Sequence, residues 1–178
     1  MGKRSKQLKG SPKAQNLLIM KPILKIFTLK RSFILTAIIL VILIVFNFYG
    51  PYTSKFYFFK LSNYIFPILT IGHFVFLYVL WFKIKEDEMT DPQMRNLEYI
   101  LYIIFFVYVY KMLESLYVLT TYGEYANHVM PGAFLPLGIL IFILYVALVG
   151  LTLLTIKYRK DRVGEYKFDE MNHIDSWE

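Results

Sequence analysis

Two charged side chains lie inside an otherwise apolar stretch of this 178-residue sequence, and they are its clearest candidates for chemistry. Lys111 and Glu114 are three residues apart, so on a helix they lie on one face and can form an ion pair. A charged group in the core of a membrane costs about 2.5–3.5 kcal/mol on insertion scales, which makes such residues informative. His73, in another apolar stretch, is expected at a similar depth and can change charge near neutral pH. The three residues predict an intramembrane polar site.

Tyrosine hydroxyls extend the polar surface around this pair. Tyr110, Glu114 and Tyr117 recur at helical spacing, and we expect this stripe to face the helix bundle or a partner and to turn away from lipid. Tyr145, in a separate apolar stretch, is a further hydroxyl that can approach the stripe. Two readings stay open. One is a proton- or ion-linked site, and the other is a structural ion pair that fixes helix packing or docks onto another subunit.

Other kinds of site have little support in the sequence. The chain has no cysteine, which excludes thiol catalysis and thiolate metal sites. His73 is the only histidine predicted within a span, so a haem held by two histidines is not expected, and no cluster has metal-ligand spacing. Paired catalytic carboxylates, a glycine-rich phosphate loop and a nucleophile–base motif are not recognisable. We therefore expect no metal and no cofactor, and an enzyme acting on lipid or quinone is the least favoured reading.

Four apolar stretches must position these residues. Hydrophobic residues make up 57% of the chain and are concentrated in blocks over 32–49, 61–82, 97–121 and 132–156. About 20 helical residues cross a hydrocarbon core of about 30 Å, and open strands cannot satisfy their backbone groups in lipid. The sequence predicts an all-α, polytopic four-transmembrane-helix bundle over 32–156, with a basic tail over 1–31 and a C-terminal tail over 157–178. Asp91 and Pro92 are a good cap and first-turn pair for the third helix, whereas Pro67 should kink the second unless that helix starts later.

The basic residues predict how the chain is threaded. Nearly all of the 20 Lys and Arg residues lie in the N-terminal tail, the second loop and the C-terminal tail. The first loop holds only Lys55 and Lys60, and the third loop holds none. Positive charge resists translocation, so we expect both termini inside, in a bacterial inner membrane or a mitochondrial inner membrane.

Residues 16–30 are too short and too charged to span, but their basic and apolar residues separate at helical spacing. This pattern predicts an amphipathic helix in the inner headgroup layer. The residues expected to contact lipid headgroups are Lys21, Lys25, Lys30 and Arg31. Because a topogenic tail explains the charge, nucleic-acid binding is not expected.

Two functions from different classes follow from these features. The first is a non-catalytic accessory or assembly subunit of a larger membrane complex, because the soluble parts are small and the aromatic-rich spans offer packing surface. Its partners would be the lipid bilayer and other membrane subunits or a second copy. The alternative is a small transporter, channel or proton-linked sensor that uses His73, Lys111 and Glu114.

Overall fold

A computed structural model describes residues 28–51, 53–88, 91–125, 131–164 and 166. Four long helices dominate it: α1 (Leu29–Phe48), α2 (Ile65–Glu86), α3 (Pro92–Thr120) and α4 (Phe134–Val163). Short 3₁₀ turns at Leu61–Tyr64 and Thr121–Tyr125 precede α2 and follow α3, and a two-stranded hairpin, β1 (Tyr49–Gly50) with β2 (Lys55–Phe56), follows α1. All four helices are long and apolar enough to cross a membrane. The predicted all-α, four-helix membrane fold is therefore confirmed, and the chain is an integral membrane protein.

The helix boundaries have local causes. The Asp91 carboxylate accepts a hydrogen bond of 2.6 Å from the Met94 amide, and Pro92 occupies the first turn of α3, as expected for a helix start. Pro67 lies in the first turn of α2, because that helix begins only at Ile65, and so its missing amide breaks no helical hydrogen bond. At the other end of α2, Asp87 takes a left-handed conformation, and its backbone N–H donates a hydrogen bond to the Lys83 carbonyl.

α2 and α4 each contact the other three helices, and the most extensive contact is between α3 and α4. α1 and α3 each pack against α4 and α2, which places α1 and α3 at opposite corners. Several buried hydroxyls donate to the carbonyl one turn earlier on their own helix, at 2.8–2.9 Å, and these are Thr36, Thr70, Thr152 and Thr155. Small residues of this kind let transmembrane helices approach closely, and these four hydroxyls are satisfied within their own helices.

The bundle has two ends with different chemistry. The basic end comprises the start of α1, the turn from α2 to α3 and the end of α4, and a core of Phe76, Leu80, Met94, Leu101 and Ile156 lies near it. The hairpin end comprises β1, β2 and the two 3₁₀ turns. In the hairpin, a side chain at Gly50 would meet the Tyr57 ring at 2.6 Å, so a larger residue there would require that ring to move.

The predicted interfacial helix, with Lys21 and Lys25, lies outside the described residues, as does the C-terminal tail from residue 167. Lys30 and Arg31 are described, and both are exposed in the first turn of α1 at the basic end. Their contact with lipid headgroups stays a prediction.

Asp91, at the start of α3, forms an ion pair with Lys83 near the end of α2. This contact predicts a pH-dependent contribution to stability. The Asp91 carboxylate lies 2.9 Å from the Lys83 ammonium. Burial raises the pKa of the Asp91 carboxyl, but hydrogen bonds from Lys83 and the Met94 amide outweigh burial and hold the pKa below its ordinary value. A folded-state pKa below the unfolded value of about 3.9 gives stabilisation that is complete above that value and is lost as the pH falls through the folded-state pKa.

We expect Asp91→Ala to lower the free energy of unfolding by about 1–2 kcal/mol at neutral pH, since it removes a helix cap. Asp91→Asn, which keeps the capping oxygen but not the charge, should lose less. Thermal midpoints of the detergent-solubilised variants would measure this. The gap between the wild-type protein and Asp91→Ala should narrow below pH about 4, and a gap that stays constant at lower pH would contradict the assignment.

Candidate functional site

Lys111 and Glu114 form the predicted ion pair in the half of α3 that is nearer the hairpin end. The Lys111 Nζ lies 2.7 Å from Glu114 Oε2, in the i, i+3 geometry that the sequence predicts. Their side chains are 33% and 46% exposed, and both border a cavity rather than the helix core. A membrane-embedded ion pair is expected to face such a space, because water or ligand can there solvate the charges.

The cavity has a volume of about 460 Å³ and lies where α1, α3 and α4 meet the hairpin. Tyr145 of α4 is mostly buried and contributes to its wall, so the structure brings Tyr145 together with Lys111 and Glu114. On the hairpin side the wall includes Asn47, Lys60 and Asn63. Three of the six predicted intramembrane residues thus share one cavity.

His73 lies elsewhere. Its ring is fully buried between α2 and α3, with Nδ1 3.2 Å from the Tyr108 hydroxyl, and it does not border the cavity. The Tyr108 ring packs against Phe66, and Phe66 packs edge-on against Tyr145. These aromatic rings stand between His73 and the cavity, so the predicted cluster is divided into two polar sites.

Tyr110 and Tyr117 point away from the bundle. They are 64% and 68% exposed on the outer face of α3. The reason is that α3 buries a different face, which carries Met94, Leu101, Ile104 and Tyr108. Of the two neighbours predicted for these tyrosines, the bundle or a partner, the bundle leaves about two-thirds of each side chain uncovered within the described part of the chain.

The His73–Tyr108 contact predicts a moderate stability effect. We expect Tyr108→Phe to lower the free energy of unfolding by about 1–3 kcal/mol, because it leaves His73 Nδ1 buried without its partner. The aromatic packing is retained in this variant. Ser54→Ala, at the exposed hairpin turn, is the control. Chemical unfolding in detergent would measure both, and equal midpoints for Tyr108→Phe and the wild-type protein would contradict a stabilising role.

Sequence reasoning missed a second polar network, at the basic end. Glu98 Oε1 lies 2.6 Å from the Arg159 guanidinium and accepts a 2.7 Å hydrogen bond from the Tyr102 hydroxyl. Its other oxygen accepts a 2.7 Å hydrogen bond from Tyr166. Both charged side chains are at most 4% exposed. Among the ion pairs found in the described part of the chain, that of Glu98 and Arg159 has the least exposed side chains.

Tyr166 closes the network from the C-terminal side. Its ring lies 4.5 Å from the Arg159 guanidinium carbon, and Arg159 also donates to the Gly164 carbonyl at 3.0 Å. Burial raises the pKa of the Tyr166 phenol, and the neighbouring Glu98 carboxylate raises it further, so the phenol remains a hydrogen-bond donor. The network therefore fastens the end of α4 and the chain that follows it to the start of α3.

A signal for this network exists in the sequence. Glu98 falls in the apolar stripe of α3 between Met94 and Leu101, and Arg159 continues the buried stripe of α4 beyond Thr155. A carboxylate and a guanidinium that each interrupt a buried face are candidates for mutual pairing.

No group of three or more metal-ligating side chains occurs within the described ranges. Comparison with protein-family models, with characterised proteins and with solved structures finds no match. The fold and these sites define the protein as a four-helix integral membrane protein.

Proposed function

We propose that this protein is a non-catalytic accessory or assembly subunit of a larger membrane complex, and that it binds a transmembrane helix of a partner through the outer face of α3. The observation that carries the proposal is that the helix with the least apolar sequence is also the one least buried by the rest of the bundle. α3 is the least apolar of the four helices, and yet only 11% of its apolar 18-residue segment is buried, compared with 28% to 33% of the corresponding segments of the others. A helix of this composition is expected to be the best shielded from lipid.

The exposed face of α3 differs in chemistry from the aliphatic outer faces of α1 and α4. Its six most exposed large side chains are spaced alternately by four and three residues, the spacing at which two transmembrane helices pack side by side. Four of the six are aromatic and three carry a hydroxyl. We call this set the α3 stripe, and it comprises Tyr99, Ile103, Phe106, Tyr110, Leu113 and Tyr117. The corresponding large exposed residues of α1 are all aliphatic, as is typical of a surface in contact with lipid: Ile34, Ile38, Val41, Ile42 and Val45.

Tyr110 supports a protein partner in particular. It lies about 15 Å along the helix from the end of α3, and so near the middle of a hydrocarbon core of about 30 Å. Its hydroxyl has no hydrogen-bond partner in the described part of the chain. A hydroxyl left unpaired in an apolar medium costs about 1–3 kcal/mol, whereas a polar side chain on a neighbouring helix would satisfy it. Tyrosines at helix ends can reach headgroups, but Tyr110 is too deep for this.

The proposal includes the predicted threading, with the basic end on the inner side of a bacterial or mitochondrial inner membrane. Purification in a mild detergent followed by native electrophoresis tests the function. We expect the protein to migrate in a complex that contains at least one other membrane chain. A complex that contains only copies of this chain would identify self-association as its role. A stable monomer with no co-purifying protein chain would overturn the proposal.

A second candidate is favoured by the cavity. A small transporter, channel or proton-linked sensor would need charged groups that can be reached from one side of the membrane, and Lys111 and Glu114 border such a space. The separation of His73 from this cavity by aromatic rings weighs against a continuous path. Proton flux into vesicles that contain the purified protein would decide this, because flux lost in Glu114→Gln at unchanged protein level would favour this candidate.

A further inference from the structure

The cavity at the hairpin end has the dimensions of a ligand site. Its volume of about 460 Å³ falls within the range of about 300–1,000 Å³ that is common for small-molecule sites. Much of its wall is apolar and includes Phe46, Phe48, Phe134 and Ile141. Polar side chains line the cavity on α3 and around the hairpin, and a site that combines apolar walls with placed polar groups can orient an amphiphilic ligand.

The wall formed by α3 offers both a cation and an anion with unused bonding capacity. Lys111 has three N–H donors, of which one is used on Glu114 Oε2. The second carboxylate oxygen of Glu114 accepts no hydrogen bond within the described part of the chain. The pair therefore presents free donors beside a free acceptor, and it is complementary to a ligand that carries both charges.

The hairpin side of the cavity also combines a cation with oxygen acceptors. The Asn47 amide nitrogen donates to the Asn63 carbonyl, and the Asn63 amide nitrogen donates to the Tyr57 carbonyl at 3.0 Å. With both nitrogens held by the loop, the two side-chain oxygens are left as acceptors. Lys60 adds a second cation to the same wall. The residues that line the cavity thus carry two ammonium groups that can bind an anion and three side-chain oxygens that can accept from an N–H donor.

We infer that this cavity binds a lipid headgroup that carries both a phosphate and a primary ammonium, as in the phosphoethanolamine class. Lys60 and Lys111 would bind the phosphate, because ammonium groups bind phosphate as point charges. Lys111 follows the deeper Tyr110 in α3, but its ammonium extends to Glu114, which lies only about 9 Å along the helix from the end of α3. A headgroup at the hairpin end therefore reaches the ammonium of this long side chain. The ligand ammonium would donate to Glu114 and to the two asparagine oxygens. A quaternary choline headgroup has no N–H and cannot make these bonds. The apolar walls and the position at the end of the spanning helices favour a lipid over a free metabolite.

Binding to purified protein in detergent tests this inference. The probes are phosphatidylethanolamine and phosphatidylcholine with the same short acyl chains, and free phosphoethanolamine. We expect phosphatidylethanolamine to bind at least about 10-fold more tightly than phosphatidylcholine. Equal affinity for the two lipids would overturn the headgroup assignment. Binding of free phosphoethanolamine as tight as that of the lipid would overturn the lipid as its source.

Variants assign the binding to this cavity. Glu114→Gln should remove the preference for the primary amine, and Ser115→Phe, which fills the cavity without altering any charge, should weaken both lipids together. The matched control is Glu86→Gln at the basic end, where Glu86 pairs with Lys85 at 2.9 Å on the exposed surface, and it should retain the wild-type preference. A preference that survives both Glu114→Gln and Ser115→Phe, in variants that keep the wild-type thermal midpoint, would overturn the site.

Discussion

Replacing Glu98 with alanine is expected to lower the free energy of unfolding by about 3–5 kcal/mol, the largest single effect that the structure predicts. The change leaves the Arg159 guanidinium almost fully buried without its anion, and it also removes the acceptor for Tyr102 and Tyr166. Loss of a charge partner in a buried pair is more damaging than absence of the whole pair. The double variant Glu98→Met with Arg159→Met should therefore recover much of the lost stability.

Unfolding of the purified protein in mixed micelles with a denaturing detergent would measure these differences. Glu86→Ala is the control, because the exposed pair of Lys85 and Glu86 is expected to contribute less than about 1 kcal/mol. Glu98→Gln, which keeps part of the hydrogen bonding, should fall between the alanine variant and the wild-type protein. If Glu98→Ala loses as little free energy of unfolding as the control, water or lipid headgroups solvate Arg159, and the network does not stabilise the fold.

The second large effect is expected from the α3 stripe. Replacing Phe106, Tyr110 and Tyr117 together with leucine keeps the face apolar and compatible with lipid, but it removes the aromatic rings and two hydroxyls. Because these side chains are about two-thirds exposed, the stability of the isolated bundle should change by less than about 1 kcal/mol. Association with the partner should fall at least about 10-fold, as expected when aromatic residues central to an interface are removed.

Co-purification in mild detergent would measure the loss of partner, and the thermal midpoint would confirm that the bundle is intact. The matched control replaces Ile34, Ile38 and Val41 on the outer face of α1 with leucine, and it should leave association unchanged. If the α3 variant retains its partner while folding normally, the α3 stripe is not the binding surface. If the α3 variant loses thermal stability instead, the aromatic side chains stabilise the bundle itself, and the loss of the partner is not evidence for a binding surface.

The fold was predictable because lipid restricts what a chain can do. A hydrocarbon core demands about 20 apolar residues in helical form, and that demand alone locates all four helices. Helix starts such as Asp91–Pro92 depend on adjacent residues, and the ion pair of Lys111 and Glu114 depends on a spacing of three. Features of this kind need no knowledge of how the helices pack.

The remaining parts of the sites depend on helix rotation and pairing. Glu98 and Arg159 are 61 residues apart, so they meet only once α3 is placed beside α4. His73 bonds to Tyr108 rather than approaching Lys111, because α3 presents Ile104 and Tyr108 to the core. Hydropathy indicates that polar residues avoid lipid, but it does not distinguish a residue that faces the bundle from one that faces a partner. Tyr110 and Tyr117 show this limit most clearly.

Photo-crosslinking in intact membranes tests the central claim, that a protein partner covers the α3 stripe, most directly. A photoreactive benzophenone amino acid would replace Tyr110 in one variant and Val41 of α1 in another, since both positions are exposed and lie within the spans. The account predicts a discrete, higher-mass protein adduct from position 110 and no protein adduct from position 41. The same lipid-only pattern from both positions would contradict it.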